Sequence, residues 1–241
     1  MIRGLIGGTG CLSLFQGERQ EIKVTTPYGV VALYEVAKEC YLLLRHGKEH
    51  TIPPHMINYR ANIWALNEVG VEALLGIYAV GSISDHLNVG EASLVEQFID
   101  FSGGGRPSTF FDDEAKHINL EHPYSQLYNS ALLAKAQEEG IPLKEGGVYV
   151  CTNGPRLETP AEIEMLRRLG GDYVGMTGAT ETILANELSI PFSAIAYSIN
   201  WAAGIKKELT FLPQEEREPL LKELAHLFVV TDSLPKGVVE S

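Results

Sequence analysis

Three short stretches of the sequence carry groups that could bind an anion. Residues 7–10 (GGTG) combine glycines, which let backbone N–H groups approach an anion closely, with the hydroxyl of Thr9. Arg45 and His46 are adjacent donors, and the forked guanidinium suits an oxyanion. Thr177 directly precedes a predicted helix, and a helix N-terminus favours negative charge. The alternatives are a plain turn at residues 7–10 and a helix cap at Thr177, which is worth about 1 kcal/mol.

Two other motifs are incomplete. The first loop resembles the dinucleotide fingerprint G-x-G-x-x-G, but Cys11, Leu12 and Ser13 follow and the third glycine is missing. Residues 46–50 match the zinc motif H-x-x-E-H, which requires a helix to bring both histidines onto one face. Gly47 inside the motif, and two prolines just after it, oppose a helix. We therefore predict no metal site here.

Composition narrows the class of protein. The 241 residues carry a formal net charge of −12, so long-range attraction to nucleic acid or to an anionic membrane is not expected. An anion would have to be held by cations placed locally. Three cysteines far apart in sequence favour buried thiols in a reducing compartment. With no signal-peptide pattern and no apolar run near the ~20 residues of a membrane span, we expect a cytoplasmic protein.

Strand and helix patterns alternate along the chain, without internal repeats. This alternation predicts an α/β fold with a largely parallel, covered sheet, in which ligands gather at the carboxyl ends of the strands. Residues 102–107 contain three glycines and are the best candidate for a mobile loop. Strands are expected at residues 2–6, 30–36, 41–44, 71–80, 92–101, 147–151, 172–174 and 190–199. Helices are expected at residues 58–69, 125–139, 178–188 and 213–228, with one more beginning at Pro160 after a capping Thr159.

Seven segments together resemble the methylthioadenosine and purine nucleoside phosphorylase family. They occur in the family's order and span most of the chain: IGGTG (6–10), RHGKEHTIPP (45–54), NYRANIWAL (58–66), AVGSI (79–83), QFID (97–100), NGPRLET (153–159) and GMTG (175–178). Within this family the chain is nearest the S-methyl-5'-thioinosine and 6-oxopurine nucleoside phosphorylase branch. The resemblance implies one domain over residues 1–241, with a central mixed, largely parallel sheet flanked by helices. It also implies an enzyme, a homotrimer or dimer of trimers with sites near the subunit interfaces, and phosphate as co-substrate without metal or organic cofactor.

The resemblance assigns roles to matching residues. Phosphate would be bound by Thr9, Arg45, His46, the backbone of Ala79 and Thr177. Met176 would lie against the ribose, and His117 would be lent by the neighbouring subunit to close the 5′ end of the sugar. Two positions depart from the family. Tyr78 replaces a small polar residue before the alanine, and Leu157 replaces an aromatic residue at the base-stacking position.

The choice of base is predicted from two residues. Adenine-cleaving relatives carry D-x-D after the late strand, whereas this chain has Asn200 and Ala202 there. An amide can donate to O6 of a 6-oxopurine and accept from N7–H, and a carboxylate at Glu158 can accept from N1–H. We therefore expect Asn200 and Glu158 to bind the base and to stabilise its developing charge. The structural alternatives are that Asn200 caps a turn and that Glu158 favours the positive end of the next helix.

The sugar is less determined. The overall pattern favours 5′-methylthioinosine, with inosine and guanosine as alternatives and methylthioadenosine after them. Residues 209–213 and the region of His117 are expected to decide which 5′ substituent of the sugar is preferred. Apolar side chains there would accept a methylthio group. Two other classes stay open: an oxidoreductase with a nucleotide cofactor, and a purine-binding protein without catalysis.

Overall fold

The structure, a computed structural model, describes residues 1–8, 11–15, 20–103 and 105–234. No helix in these ranges is long and apolar enough to cross a membrane. The strands are β1 (Arg3–Gly7), β2 (Gln20–Thr26), β3 (Gly29–Ala37), β4 (Cys40–Leu44), β5 (Ala73–Ser82), β6 (Ala92–Leu94), β7 (Gln97–Phe101), β8 (Val148–Thr152), β9 (Tyr173–Gly175) and β10 (Phe192–Trp201). The helices are α1 (Tyr59–Glu68), α2 (Gln126–Glu139), α3 (Pro160–Arg168), α4 (Gly178–Glu187) and α5 (Gln214–Val230).

The ten strands form one mixed sheet in the order β2-β3-β4-β1-β5-β9-β8-β7, with β10 added beside β5 and β6 beside β10. Pairing is parallel between β4 and β1, β1 and β5, β5 and β10, β7 and β8, and β8 and β9. Because residues 95–96 join β6 to β7, the path from β5 through β9, β8, β7, β6 and β10 returns to β5. This part of the sheet therefore curls round on itself.

Strand β5 is the centre of the sheet, as its apolar run predicts. Every residue of β5 except Ala79 is buried. Helices α1 and α4 pack on one face of the sheet, and α2 and α5 pack on the other. A smaller core under α3 joins it to β8 and β9. Both faces are thus covered, which explains why the central strands are continuous apolar runs instead of alternating patterns.

The predicted helix starts are confirmed by their caps. Asn58 accepts from the Ala61 amide at 3.1 Å, and Ser125 accepts from the Tyr128 amide at 3.1 Å. Thr159 and Glu162 form a reciprocal capping box, with the first-turn proline in place. The three cysteines are free and buried, as expected.

Two strand predictions are corrected. Strand β2, which no prediction covered, pairs antiparallel with β3 at the edge of the sheet. Exposed and partly buried residues alternate along it, so it lacks the continuous apolar run that identified the other strands. The single strand expected at residues 92–101 is two strands. After β6 the chain leaves β10, because the Glu96 amide donates to the Gly147 carbonyl, and β7 continues beside β8.

Candidate active site

The site lies beside a short stretch of β5 that has no strand partner on one edge among the described residues. Strand β1 pairs with β5 only as far as Gly76, and β9 meets the same edge from Gly81 onward. Between them, the described residues supply no strand partner for residues 77–80 on this edge. The opposite edge stays paired with β10 throughout. A cleft therefore opens over the exposed Ala79, at the carboxyl ends of β1, β4 and β10, where α/β sheets commonly bind ligands.

Arg45 closes the floor of this cleft. It follows β4 directly, and its side chain is 3% exposed. Its guanidinium donates to Glu181 on α4 through Nε at 2.7 Å and through Nη2 at 3.0 Å. It also donates to the carbonyls of Ile77 at 2.8 Å and Ile6 at 3.1 Å. Burial alone would lower the pKa of Arg45, but the adjacent Glu181 carboxylate raises it above its usual value, so the arginine stays charged.

Tyr78 completes this ion pair from beneath. Its hydroxyl donates to Glu181 Oε2 at 2.7 Å, and the Arg45 guanidinium lies 4.6 Å from its ring centroid. Burial, reinforced by Glu181, raises the pKa of Tyr78 well above its ordinary value, so the phenol stays protonated. A side chain at Gly76 would collide with the Tyr78 hydroxyl, which explains a glycine in the middle of a buried strand. The departure at Tyr78 thus serves to position the Arg45–Glu181 pair.

His46 lies beside Arg45 in a turn and not in a helix. Residues 45–50 form turns, and His50 has a positive φ of 53°, so the zinc motif is not on a helical face, as predicted. His46 Nδ1 lies 2.8 Å from the Ile52 carbonyl oxygen, which can only accept, so Nδ1 carries the proton. Burial, and then the Arg45 charge, lower the pKa of His46 to about 4. At neutral pH, Nε2 is therefore a hydrogen-bond acceptor.

Thr177 precedes α4, where a capping role was the structural alternative. Its side chain makes no capping hydrogen bond, although the residue is the N-cap. The amides of Thr177 and Gly178 instead lie 3.2 and 3.3 Å from the Tyr149 hydroxyl, which accepts from them. The Thr177 hydroxyl is thereby left for the cavity that it lines.

Asn200 is placed by a β-bulge. The register of β10 against β5 shifts between Ser198 and Asn200, so that Ile199 is the extra residue. Bulges re-aim side chains and are common beside active sites. Asn200 is 6% exposed and donates to the Trp201 carbonyl at 2.9 Å, which leaves its oxygen and one N–H for the cavity. It lies within a strand and caps no turn.

Glu158 and Met176 face the same cavity from other elements. The Glu158 carboxylate accepts from the Thr152 hydroxyl at 2.7 Å, while Glu162 fills the capping role at α3. Met176 packs over Gly154, whose φ of 63° and close approach to the Met176 sulfur leave no space for a side chain. Leu157 is 44% exposed and lies on the rim.

These groups surround one cavity of about 410 Å³. The predicted residues that line it are Arg45, His46, Leu157, Glu158, Met176, Thr177, Ala79 and Asn200. His117 is exposed and lines no part of this cavity in its own chain. Thr9 lies outside the described residues. The structure thus brings eight of the ten predicted positions together, from five separate stretches of sequence.

Several lining or supporting residues escaped sequence reasoning. Glu181 could have been found as an acidic residue four positions after Thr177, on the same face of α4. Arg106 donates to the Met176 carbonyl at 2.9 Å and to the Asn153 carbonyl at 2.9 Å, so it ties the glycine-rich loop to the site. Arg217 lines the cavity from the first turn of α5, and no motif indicated it.

The cavity lining combines two chemistries. Arg45, His46 and Thr177 offer a cation, an acceptor nitrogen and a hydroxyl, a set that suits a hydrogen-bearing oxyanion. Asn200 and Glu158 offer an amide and a carboxylate, which can bind the donor and acceptor edge of a planar base. No cluster of three or more potential metal ligands occurs within the described ranges.

The fold is that of a known class: the chain belongs to the phosphorylase superfamily, whose sequence model matches residues 3–231. It is 46% identical to the probable S-methyl-5'-thioinosine phosphorylase of Methanopyrus kandleri, over 84% of this chain and 79% of that protein. It is 42% identical to the 6-oxopurine nucleoside phosphorylase of Pyrococcus furiosus, over 90% of this chain and 88% of that protein.

Among solved structures, it resembles a double mutant of the adenosine/methylthioadenosine phosphorylase of Schistosoma mansoni in complex with adenine. The TM-score is 0.85 at 28% identity, covering 95% of this chain and 90% of that one. The relatives and structural neighbours agree that the chain is an enzyme of the nucleoside phosphorylase kind. The expected fold is confirmed.

Proposed function

We propose that the protein cleaves 6-oxopurine nucleosides with phosphate, and that its preferred substrate is S-methyl-5'-thioinosine. The products are hypoxanthine and 5-methylthioribose 1-phosphate. One observation carries the proposal: Asn200 and Glu158 line the same cavity as Arg45 and Thr177. The residues proposed to bind the base and those proposed to bind the anion therefore line one cavity large enough for the substrate.

Asn200 and Ala202 indicate that the base of the substrate is a 6-oxopurine and not adenine. The structural neighbour was solved with adenine, whereas the two relatives by sequence are named for thioinosine or 6-oxopurine nucleosides. At neutral pH an amide at Asn200 can donate to O6, and this chain has no carboxylate at either position of the D-x-D pair. A site built on such buried polar groups can reject the wrong base by ~10⁴-fold, because the mismatched groups stay unpaired.

Apolar residues support the methylthio group. Leu209 and Phe211 line the cavity and are each 45% exposed, with Ile199 beside them. Leu209 and Phe211 belong to residues 209–213, the segment that was expected to decide which 5′ substituent of the sugar is preferred. Inosine and guanosine are the second candidates, supported by the name of the Pyrococcus furiosus relative.

In the proposed mechanism, phosphate attacks C1′ of the sugar while the C1′–N9 bond breaks and its electron pair passes to the purine. The proton that hydrogen phosphate loses ends on the base, so atoms and charge balance. Arg45 and the Thr177 hydroxyl orient the phosphate, and neutral His46 accepts from its P–OH. Asn200 and Glu158 stabilise the departing base. Catalysis is then a matter of positioning and electrostatics, with no organic cofactor.

A homotrimer remains part of the proposal. His117 is exposed in its own chain and lies in a long stretch without helix or strand, between β7 and α2. Such a segment suits donation to a neighbouring site, where His117 would close the 5′ end of the sugar. Thr9 keeps its proposed role as a phosphate ligand.

The test incubates the purified protein with methylthioinosine, inosine or methylthioadenosine, with and without phosphate, and measures the released base by chromatography. We expect phosphate-dependent hypoxanthine release, fastest from methylthioinosine. Release without phosphate would indicate a hydrolase, and binding without release would indicate a non-catalytic purine-binding protein. A faster reaction with methylthioadenosine would reject the base assignment.

A further inference from the structure

The charges around the cavity do not suit a dianion unless Arg217 takes part. Arg45, the predicted phosphate ligand, is already neutralised by its two hydrogen bonds to Glu181. Glu158 adds a carboxylate to the lining. His46, with a pKa of about 4, brings no positive charge at neutral pH. Without Arg217, these residues sum to about one negative charge, in a protein whose formal net charge is −12.

Arg217 is a cation in the cavity lining whose side chain has no partner among the described residues. It lies in the first turn of α5, half-buried, and its side chain reaches the cavity lining. The described part of the chain offers its guanidinium no hydrogen bond and no ion pair. Most other arginines of the protein are bound to carboxylates or carbonyls, as Arg3, Arg60 and Arg106 illustrate.

Arg217 and Arg45 line the same cavity. Tyr197 also lines the cavity, and on β10 it lies in register with Ala79, over the cleft. Burial raises the pKa of Tyr197 to about 12, while Arg217 and Arg45 both act to lower it. The Tyr197 hydroxyl therefore lies in the field of both arginines, whereas Asn200 is three residues further along the strand.

We propose that Arg217 is a phosphate-binding residue, which supplies the positive charge that the Arg45–Glu181 pair does not. This inference rests on the proposed function, because it takes phosphate as the anion of the site. A guanidinium that no protein acceptor holds can follow phosphate as it becomes the ester of the sugar. The fixed Arg45 cannot do so, since most of its N–H groups are held by protein acceptors.

The test compares Arg217→Gln and Arg217→Lys with Arg168→Gln, which makes the same chemical change at an exposed arginine of α3. Initial rates are measured over a range of inorganic phosphate at saturating nucleoside, for both methylthioinosine and inosine. Arg217→Gln should raise the KM for phosphate by about tenfold or more with either nucleoside, as the loss of one charge-assisted hydrogen bond implies. Arg217→Lys should stay within about threefold of the wild type, and Arg168→Gln should not differ from it.

An unchanged KM for phosphate in Arg217→Gln would overturn the inference. So would a change confined to the KM of one nucleoside, since that would place Arg217 at the 5′ substituent of the sugar. Failure of the proposed function has a different signature, because the wild type would then release no base in phosphate. In that case the rise in Tm caused by phosphate still tests Arg217, and its loss in Arg217→Gln alone is the expected result.

Discussion

Arg45 and Glu181 form a two-point ion pair whose side chains are only 3% and 1% exposed. Three chain segments meet at it, since Arg45 follows β4, Glu181 belongs to α4, and Tyr78 of β5 donates to the same carboxylate. A buried pair of this kind is weak evidence for stability, but breaking it leaves a charge without compensation. Because the Arg45–Glu181 pair lies beneath the cavity, it contributes both to folding and to the proposed anion site.

Glu181→Gln should destabilise the protein by about 3–5 kcal/mol, because the Arg45 charge stays buried without its carboxylate. Added phosphate should restore part of that loss, since an anion in the cavity would compensate the arginine. Urea unfolding with and without phosphate measures both effects. Glu164→Gln, at an exposed ion pair on α3, is the matched control and should change stability by less than about 0.5 kcal/mol. Equal losses in the two variants would contradict the role of the pair.

Replacing both members of the pair separates folding from function. Arg45→Met with Glu181→Met removes both charges together, so the free energy of unfolding should lie closer to the wild type than in Glu181→Gln. Phosphorolysis should nevertheless fall by about a hundredfold or more, because the charged phosphate contact is lost. Circular dichroism and initial rates provide the two measurements. Retained activity in a folded double variant would remove Arg45 from the proposed site.

Asn200→Asp with Ala202→Asp should shift preference towards adenine nucleosides, because an aspartic acid side chain can supply the proton that activates adenine at N7, or stabilise it there. Ala202 is 4% exposed, so the second carboxylate enters a confined space and a moderate loss of stability is also expected. The ratio of kcat/KM for methylthioadenosine to that for methylthioinosine is the readout. Ala202→Ser serves as the control for occupying the space. If the double variant ranks the bases as the wild type does, the specificity assignment is wrong.

His46 should make stability depend on pH. Its pKa is lowered from 6.5 to about 4 in the folded protein, so the unfolded chain binds more protons between these values. The contribution is fully present above about pH 6.5 and is lost as the pH falls towards 4. In His46→Gln, the free energy of unfolding should fall less steeply over that interval. His55→Gln, at an exposed histidine, should keep the wild-type slope. Parallel slopes in all three proteins would contradict the assignment. Unfolding is measured in buffers free of phosphate.

Arg106 should hold the glycine-rich loop against Met176, which lines the cavity. Its guanidinium bonds the Met176 and Asn153 carbonyls and stacks 5.0 Å from the ring centroid of Tyr59. In Arg106→Gln we expect the KM for nucleoside to rise several-fold and limited proteolysis near residues 102–107 to accelerate. The control is Arg60→Gln, which breaks an ion pair with Asp112 instead. Unchanged cleavage and KM in Arg106→Gln would mean that the loop is held by other contacts.

Much of the fold could be predicted from local pattern. Strand β5 is a continuous apolar run because both faces of the sheet are covered, and helices α1, α2 and α3 begin at capping residues that the sequence displays. Strand β2 escaped because an edge strand half exposed to solvent has no such run. The break between β6 and β7 escaped because it depends on which neighbour each half can pair with, and pairing is not a property of the segment itself.

The sequence by itself determined the residue types of the site: an arginine after a strand, a hydroxyl before a helix, an amide and an alanine in place of the aspartate pair, and a carboxylate at Glu158. Those are local identities, and they were sufficient to indicate the chemistry. Only the tertiary structure decided that Arg45 is already neutralised by Glu181, that a bulge aims Asn200 inward, and that Arg217 lines the same cavity with no side-chain partner among the described residues. Charge compensation depends on distance in space, and residues 45 and 181 are neighbours only because the fold brings distant segments of the chain together.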